Sequence, residues 1–96
     1  MLVVALYDIS TETEEGKKRL SKAAKICKNY GQRVQNSVYE CLIDPTQFLK
    51  LENELLRCIK GEEDSLKFYF LGANYTKRIK NHGIKNGFDI EGTLTL

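Results

Sequence analysis

A chain of 96 residues, 42% of them hydrophobic, has room for one compact domain and not for two, so a single domain over residues 1–96 is expected. No apolar run approaches the roughly 20 residues that span a bilayer, and no basic stretch precedes the first apolar one, so neither a membrane partner nor a secretory signal is expected. The net charge of +2 conceals a division: seven Lys or Arg and no acid from Gly16 to Tyr39, seven acids against three bases from Glu40 to Asp64, and five bases and no acid from Ser65 to Phe88.

The first element is Leu2-Val3-Val4-Ala5-Leu6-Tyr7-Asp8. An unbroken apolar run that ends in a lone carboxylate predicts a central strand buried on both faces, delivering Asp8 to a rim. Rims are where catalytic and metal-binding groups sit, but an Asp there also starts turns by bonding backbone amides two residues on. The stretch Ser10 to Glu15 predicts a helix start, with Thr11 and Glu14 at capping-box spacing. The helix then runs to about Tyr30, with Gly31 as a left-handed stop. Leu20, Ala23, Ala24, Cys27 and Tyr30 share one face; Lys17, Lys18, Lys22, Lys25 and Lys28 share the opposite arc. Arg19 lies off that arc, placed to pack its stem and aim its head at the sheet rim.

Gln32 to Ile43 reads as extended, with Gln35-Asn36-Ser37 as a tight turn or bulge, which predicts a hairpin or a kinked strand. Asp44-Pro45 predicts a second helix start, with Phe48, Leu51, Leu55, Cys58 and Ile59 as its buried stripe and Gly61 as its stop. Glu62-Glu63-Asp64 reads as loop. Ser65 to Leu71 predicts a strand with Leu66, Phe68 and Phe70 on one face. Tyr75 to Ile79 fits either a short strand or a helical turn, and Thr93 to Leu96 alternates like a terminal strand. The order is the ferredoxin-like βαββαβ arrangement, an α+β fold with an antiparallel sheet whose second face has no helix to cover it. A second copy of the chain is the economical cover, and a domain this small gains from pairing. The basic blocks suit a polyanion, although a solvated helix flank has the same composition. Cys27, Cys41 and Cys58 form no C-x-x-C pair and, with one histidine, suggest no zinc site. They are expected as small apolar core residues in a reducing cytoplasm.

Tyr7-Asp8-Ile9-Ser10, the run from Gly31 through Gln35-Asn36-Ser37-Val38-Tyr39-Glu40-Cys41, and Phe68-Tyr69-Phe70-Leu71-Gly72 together resemble the CRISPR-associated endonucleases of the second core family. That resemblance covers the whole chain. It implies a homodimer in which the C-terminal strand, here Thr93 to Leu96, adds to the partner's sheet. It implies that Asp8 is the catalytic residue and binds magnesium (Mg2+) together with its symmetry mate. It implies that Arg33, Arg19 and Ser37, with basic residues of the first helix, bind nucleic acid. It further implies a CRISPR integrase subunit as partner. Two departures stand out: Tyr39 occupies the place of a frequent phenylalanine, and Lys17 and Lys18 replace common arginines, which keeps the charge but loses bidentate phosphate geometry.

Two functions follow. One is a magnesium-dependent phosphodiesterase acting on single-stranded RNA or double-stranded DNA, with Asp8 at its centre and Arg33 and Arg19 on the phosphate. No general base is evident, and His82 reads as a surface histidine. The other is a DNA scaffold that joins integrase dimers through phosphate contacts of the basic helix, with Lys17, Lys18, Lys22 and Lys25 as its surface. A toxin-like ribonuclease acting alone is the runner-up. An RNA recognition motif is disfavoured, because neither Val38–Ile43 nor Ser65–Leu71 carries its basic-Gly-aromatic signature. Tyr7, Tyr39 and Tyr69 could stack on bases but read first as packing residues.

Overall fold

The computed structural model describes residues 1–83. Its elements are β1 (Leu2–Asp8), α1 (Glu14–Lys28), β2 (Gln32–Gln35), β3 (Val38–Leu42), α2 (Pro45–Cys58), β4 (Ser65–Gly72) and a single 3-10 turn at Tyr75–Arg78. The sheet runs β2-β3-β1-β4 with every pairing antiparallel, and β1 lies in the interior. This is the expected ferredoxin-like α+β architecture. The expected exchanged strand at Thr93 to Leu96 lies outside the described residues.

Alternation along β1 sends Val3, Ala5 and Tyr7 to one face, where they meet Tyr39 and Cys41 of β3, Ala23, Ile26 and Cys27 of α1, and Leu51, Leu55 and Cys58 of α2. Both helices therefore cover the same face. Phe48 joins α2 to β4 by edge-to-face contacts with Phe68 and Phe70, ring centroids 5.0 and 4.9 Å away. A fully buried leucine such as Leu55 contributes about 1.5–3 kcal/mol by leaving water. The opposite face is bare among the described residues. Val4 and Leu6 are only half-buried there, beside Leu42 (42% exposed) and Tyr69 (52%). The expectation that the first strand is buried on both faces thus holds for one face among the described residues.

Local boundaries follow identifiable chemistry. The N-cap of α1 is Thr13, not Thr11: its hydroxyl accepts from the Gly16 amide at 3.0 Å. Gly16 decides this, because a Cβ at that position would collide with the Ser10 carbonyl. The helix ends at Lys28, and Gly31 is not a left-handed stop, since only Gly72 and Gly83 have positive φ among the described residues. Gly31 instead lies against Glu40 and Cys41, where any Cβ would overlap the Glu40 carbonyl oxygen and the Cys41 sulfur. α2 starts where its sequence predicts, with a complete Asp44/Gln47 capping box and Pro45 in the first turn. It ends at Cys58, with Ile59 as C-cap, ahead of Gly61. Tyr75–Arg78 resolves as a helical turn and not as a strand.

Candidate functional site

Asp8 ends β1 opposite Ser65 of β4. Alternation places it with Val4 and Leu6 on the helix-free face, and it is exposed. Among the described residues no hydrogen bond or ion pair engages its side chain. No set of three or more His, Cys, Asp and Glu gathers as a metal site there or elsewhere among them. Asp8 is thus a hard oxygen donor with room around it, and one carboxylate short of a pair. Glu40, half-buried on the same bare face, has its carboxyl raised by that burial.

Arg33 sits on edge strand β2, level with Tyr39 of β3 and Ala5 of β1. A regular two-residue hairpin at Asn36-Ser37 would set Arg33 opposite Glu40, on the bare face. The register instead runs Gln35↔Val38, Arg33↔Tyr39, Gln32↔Glu40, with an irregularity between Arg33 and Gln35. One extra residue reverses the facing of everything before it. Arg33 consequently shares the helix-covered face with Tyr39 and Tyr7. Its Nε donates to the Tyr39 hydroxyl at 3.1 Å, and its guanidinium carbon lies 5.6 Å from the Tyr39 ring centroid. The contact with the phenol oxygen raises the guanidinium above its ordinary value, so it is cationic at any working pH. Tyr39 in turn stacks on Tyr7, centroids 6.1 Å apart and planes 26° from parallel. The Tyr7 hydroxyl is buried without a hydrogen-bond partner, and burial pushes its phenol well above the usual range. Ser37 contributes through its backbone, its carbonyl accepting from the Tyr7 amide at 3.2 Å and tying the hairpin turn to the end of β1.

Arg19 does reach the rim, but it finds an acid there. Its Nε donates to Asp64 at 2.8 Å and its Nη2 to Asp64 at 3.2 Å and Glu63 at 3.4 Å. Asp64 also accepts from the amides of Ser10 (3.1 Å) and Lys60 (2.8 Å). The Asp64 side chain is fully buried and that of Arg19 is 16% exposed. Hydrogen bonds from Arg19 hold the Asp64 carboxyl below its ordinary value, aided by the two amides. The loop after β1, α1 and the turn before β4 are therefore locked together one residue from Ser65, the partner of Asp8. Read from sequence, Asp64 was loop; nothing local points across 45 positions to Arg19.

The lysine arc of α1 is exposed throughout. Lys17 pairs with Glu14 at 3.3 Å, while no ion pair engages Lys18, Lys22, Lys25 or Lys28 among the described residues. The three cysteines are buried and free, and burial raises Cys27 to about 12 and Cys41 to about 11, which keeps both as inert thiols. Asp8 and Arg33 thus lie on opposite faces of the sheet, Arg33 two strands away at the level of Ala5, Arg19 is committed to Asp64, and the lysines form a separate cationic flank.

Residues 1–79 match the family described as CRISPR associated protein Cas2. A protein of Chlorobaculum tepidum named CRISPR-associated endoribonuclease Cas2 is 52% identical over 96 residues, covering 100% of both chains. One of Halalkalibacterium halodurans named CRISPR-associated endonuclease Cas2 is 50% identical over 94 residues, 98% of each chain. The crystal structure of Streptococcus pyogenes Cas2 at pH 6.5 superposes with a TM-score of 0.76 at 46% identity, covering 86% of this chain and 100% of that one.

Proposed function

We infer function from one premise: the chain belongs to the CRISPR-associated Cas2 family, whose curated relatives are named endoribonucleases or endonucleases. On that premise we propose a magnesium-dependent endonuclease that hydrolyses phosphodiester bonds at Asp8. It works as a homodimer that also holds duplex DNA and joins CRISPR integrase subunits during spacer acquisition. The observation that carries the reading is the exposed Asp8 carboxylate at the end of the central strand, unengaged and on a sheet face that no helix covers among the described residues.

The donor chemistry fits the metal. Magnesium takes oxygen ligands and is held by one or two carboxylates with water and substrate phosphate. A second copy packed on the bare face would bring a second Asp8 and would cover Leu6, Val38, Leu42 and Tyr69. When bound, magnesium supplies Lewis acidity and offsets charge at the scissile phosphate. Asp8 holds and orients that charge. Arg33 neutralises a neighbouring phosphate from the other side of the rim. The α1 lysines draw in and align the nucleic-acid backbone without reading its bases. Arg19 with Asp64 keeps the Asp8 rim in place. No helix among the described residues is long and apolar enough to cross a membrane.

The test is Asp8→Ala on single-stranded RNA and duplex DNA, in magnesium and in chelator. Cleavage is expected to fall by at least about 100-fold, to the level of wild type in chelator. Undiminished cleavage would place the site elsewhere. Charge reversal at Lys18, Lys22 and Lys25 is expected to abolish duplex binding while leaving the fold intact. The scaffold role rests on the four exposed lysines that no acid pairs with among the described residues, and co-purification with an integrase-sized protein separates it from a toxin-like ribonuclease acting alone.

A further inference from the structure

Tyr39 has been given no role in binding so far, yet its hydroxyl accepts the side-chain hydrogen bond from Arg33 Nε. It is fully buried, so its hydroxyl is a fixed point and not a mobile surface group. Its ring is backed by Tyr7 from the central strand, and the ring face supports the guanidinium. The hairpin irregularity before Gln35 sets the two residues opposite each other. A phenol is a neutral acceptor: it orders the guanidinium without cancelling its charge, unlike the carboxylate that Arg19 meets. The bond uses Nε, on the stem side of the fork, and leaves the outer edge with its two Nη groups for a bidentate contact.

We propose that Tyr39 is a positioning residue for Arg33, its hydroxyl and ring holding the guanidinium so that the Nη edge faces a phosphodiester of bound nucleic acid. This rests on the reading that Arg33 contacts phosphate. An arginine fixed in advance loses less side-chain freedom on binding, so the hydroxyl acts on affinity only through Arg33.

The experiment is a double-mutant cycle on the full chain with Tyr39→Phe, Arg33→Ala and the pair. Binding of a labelled single-stranded RNA and of a labelled duplex DNA is measured by anisotropy in chelator, so that no cleavage intervenes. Arg33→Ala is expected to weaken binding by roughly tenfold or more on at least one probe. Tyr39→Phe, which keeps the ring, is expected to weaken the same probe by roughly three- to tenfold, and to change nothing further once Arg33 is gone. If Arg33→Ala weakens binding and Tyr39→Phe does not, the positioning role is overturned and the phosphate reading stands. If Arg33→Ala binds both probes like wild type, the phosphate reading fails and this inference with it. An additive pair also overturns it, since the hydroxyl would then act by another route. A readout independent of affinity is the Arg33 Nε–H in nitrogen-15 NMR. Its exchange is expected to be slower than that of Arg57 and Arg78 in wild type and to match theirs in Tyr39→Phe. Equal exchange in wild type would overturn the proposal even if the variant proved unstable.

Discussion

Arg19 and Arg33 belong to one acid-free stretch, and the family resemblance gives both to phosphate. The structure surrounds them differently. Arg19 is 16% exposed against a fully buried Asp64 carboxylate, whereas Arg33 is exposed against a neutral phenol. A carboxylate satisfies the guanidinium and cancels its charge; a phenol orders it and leaves the charge to act. The two residues are alike in type and in local charge. What separates them is the partner the fold sets against each: a carboxylate 45 positions away for Arg19, and a phenol six positions away for Arg33.

The largest way to break this contrast is to remove the acid. Asp64→Ala leaves the Ser10 and Lys60 amides and the Arg19 guanidinium without their shared acceptor. Buried donors left unpaired cost roughly 2–3 kcal/mol. For a domain of this size that lowers the melting temperature by roughly 10 °C or more, measurable by scanning calorimetry. A shift under about 2 °C would show that the Arg19 link is not structural.

The next effect acts on the other arginine. Gly31→Ala drives a methyl into the Glu40 carbonyl and the Cys41 sulfur, so the start of β2, which carries Arg33, has to move away from β3. Overpacking of this kind costs roughly 1–3 kcal/mol. It is expected to lower the melting temperature by several degrees and, unlike Asp64→Ala, to speed Arg33 Nε–H exchange. If both variants speeded it equally, the two ends of the rim would be one unit and the contrast would fail.

These variants also show where the sequence is legible. The capping box at Asp44, the turn at Asn36-Ser37, the apolar stripe of α2 and the alternation of β4 are local patterns, each with a residue chemistry that announces it. The helix faces are local too, and the lysine arc is exposed as its spacing predicts. The site is less legible because its geometry hangs on long-range or one-residue facts. The link from Arg19 to Asp64 crosses 45 positions. The hairpin irregularity moves Arg33 from the face of Asp8 to the opposite one; Gln35-Asn36-Ser37 announces a turn or bulge, but nothing in it fixes which face Arg33 takes. Gly31 suggested a left-handed stop, and only the packed structure shows that close approach is the reason for it. The apolar first strand correctly predicted a central position. It overstated burial, because no helix among the described residues covers its second face.

A smaller effect is expected from pH. The Asp64 carboxyl is held below its ordinary value chiefly by Arg19. The unfolded carboxyl titrates near about 3.9, above the folded one, so the link contributes in full above that pH. Its contribution shrinks as pH falls through about 4 and is lost once pH passes below the folded value. The difference in melting temperature between wild type and Asp64→Asn should hold steady from about pH 5 to 8 and narrow below about pH 4. Arg33, whose partner is a phenol, gives no such term across this range. A difference that stayed constant at low pH would mean that the Asp64 charge is not what secures Arg19.

The smallest effect sharpens the contrast most directly, because salt counts only charges that meet phosphate. Each cation that releases a counterion from a single strand steepens the dependence of log affinity on log salt by about 0.7. Lys22→Ala, removing an exposed lysine with no acid partner among the described residues, is expected to weaken RNA binding only about twofold near physiological salt while flattening the slope by about 0.7. Arg33→Ala should flatten it to a similar extent. Arg19→Ala should leave the slope unchanged in the folded protein, because its charge is already balanced within the chain by Asp64. The measurement is a titration across salt concentrations on each variant at a temperature where all remain folded. If Arg19→Ala flattened the slope as much as Arg33→Ala, the Asp64 pairing would have to open on binding, and Arg19 would count among the phosphate ligands after all.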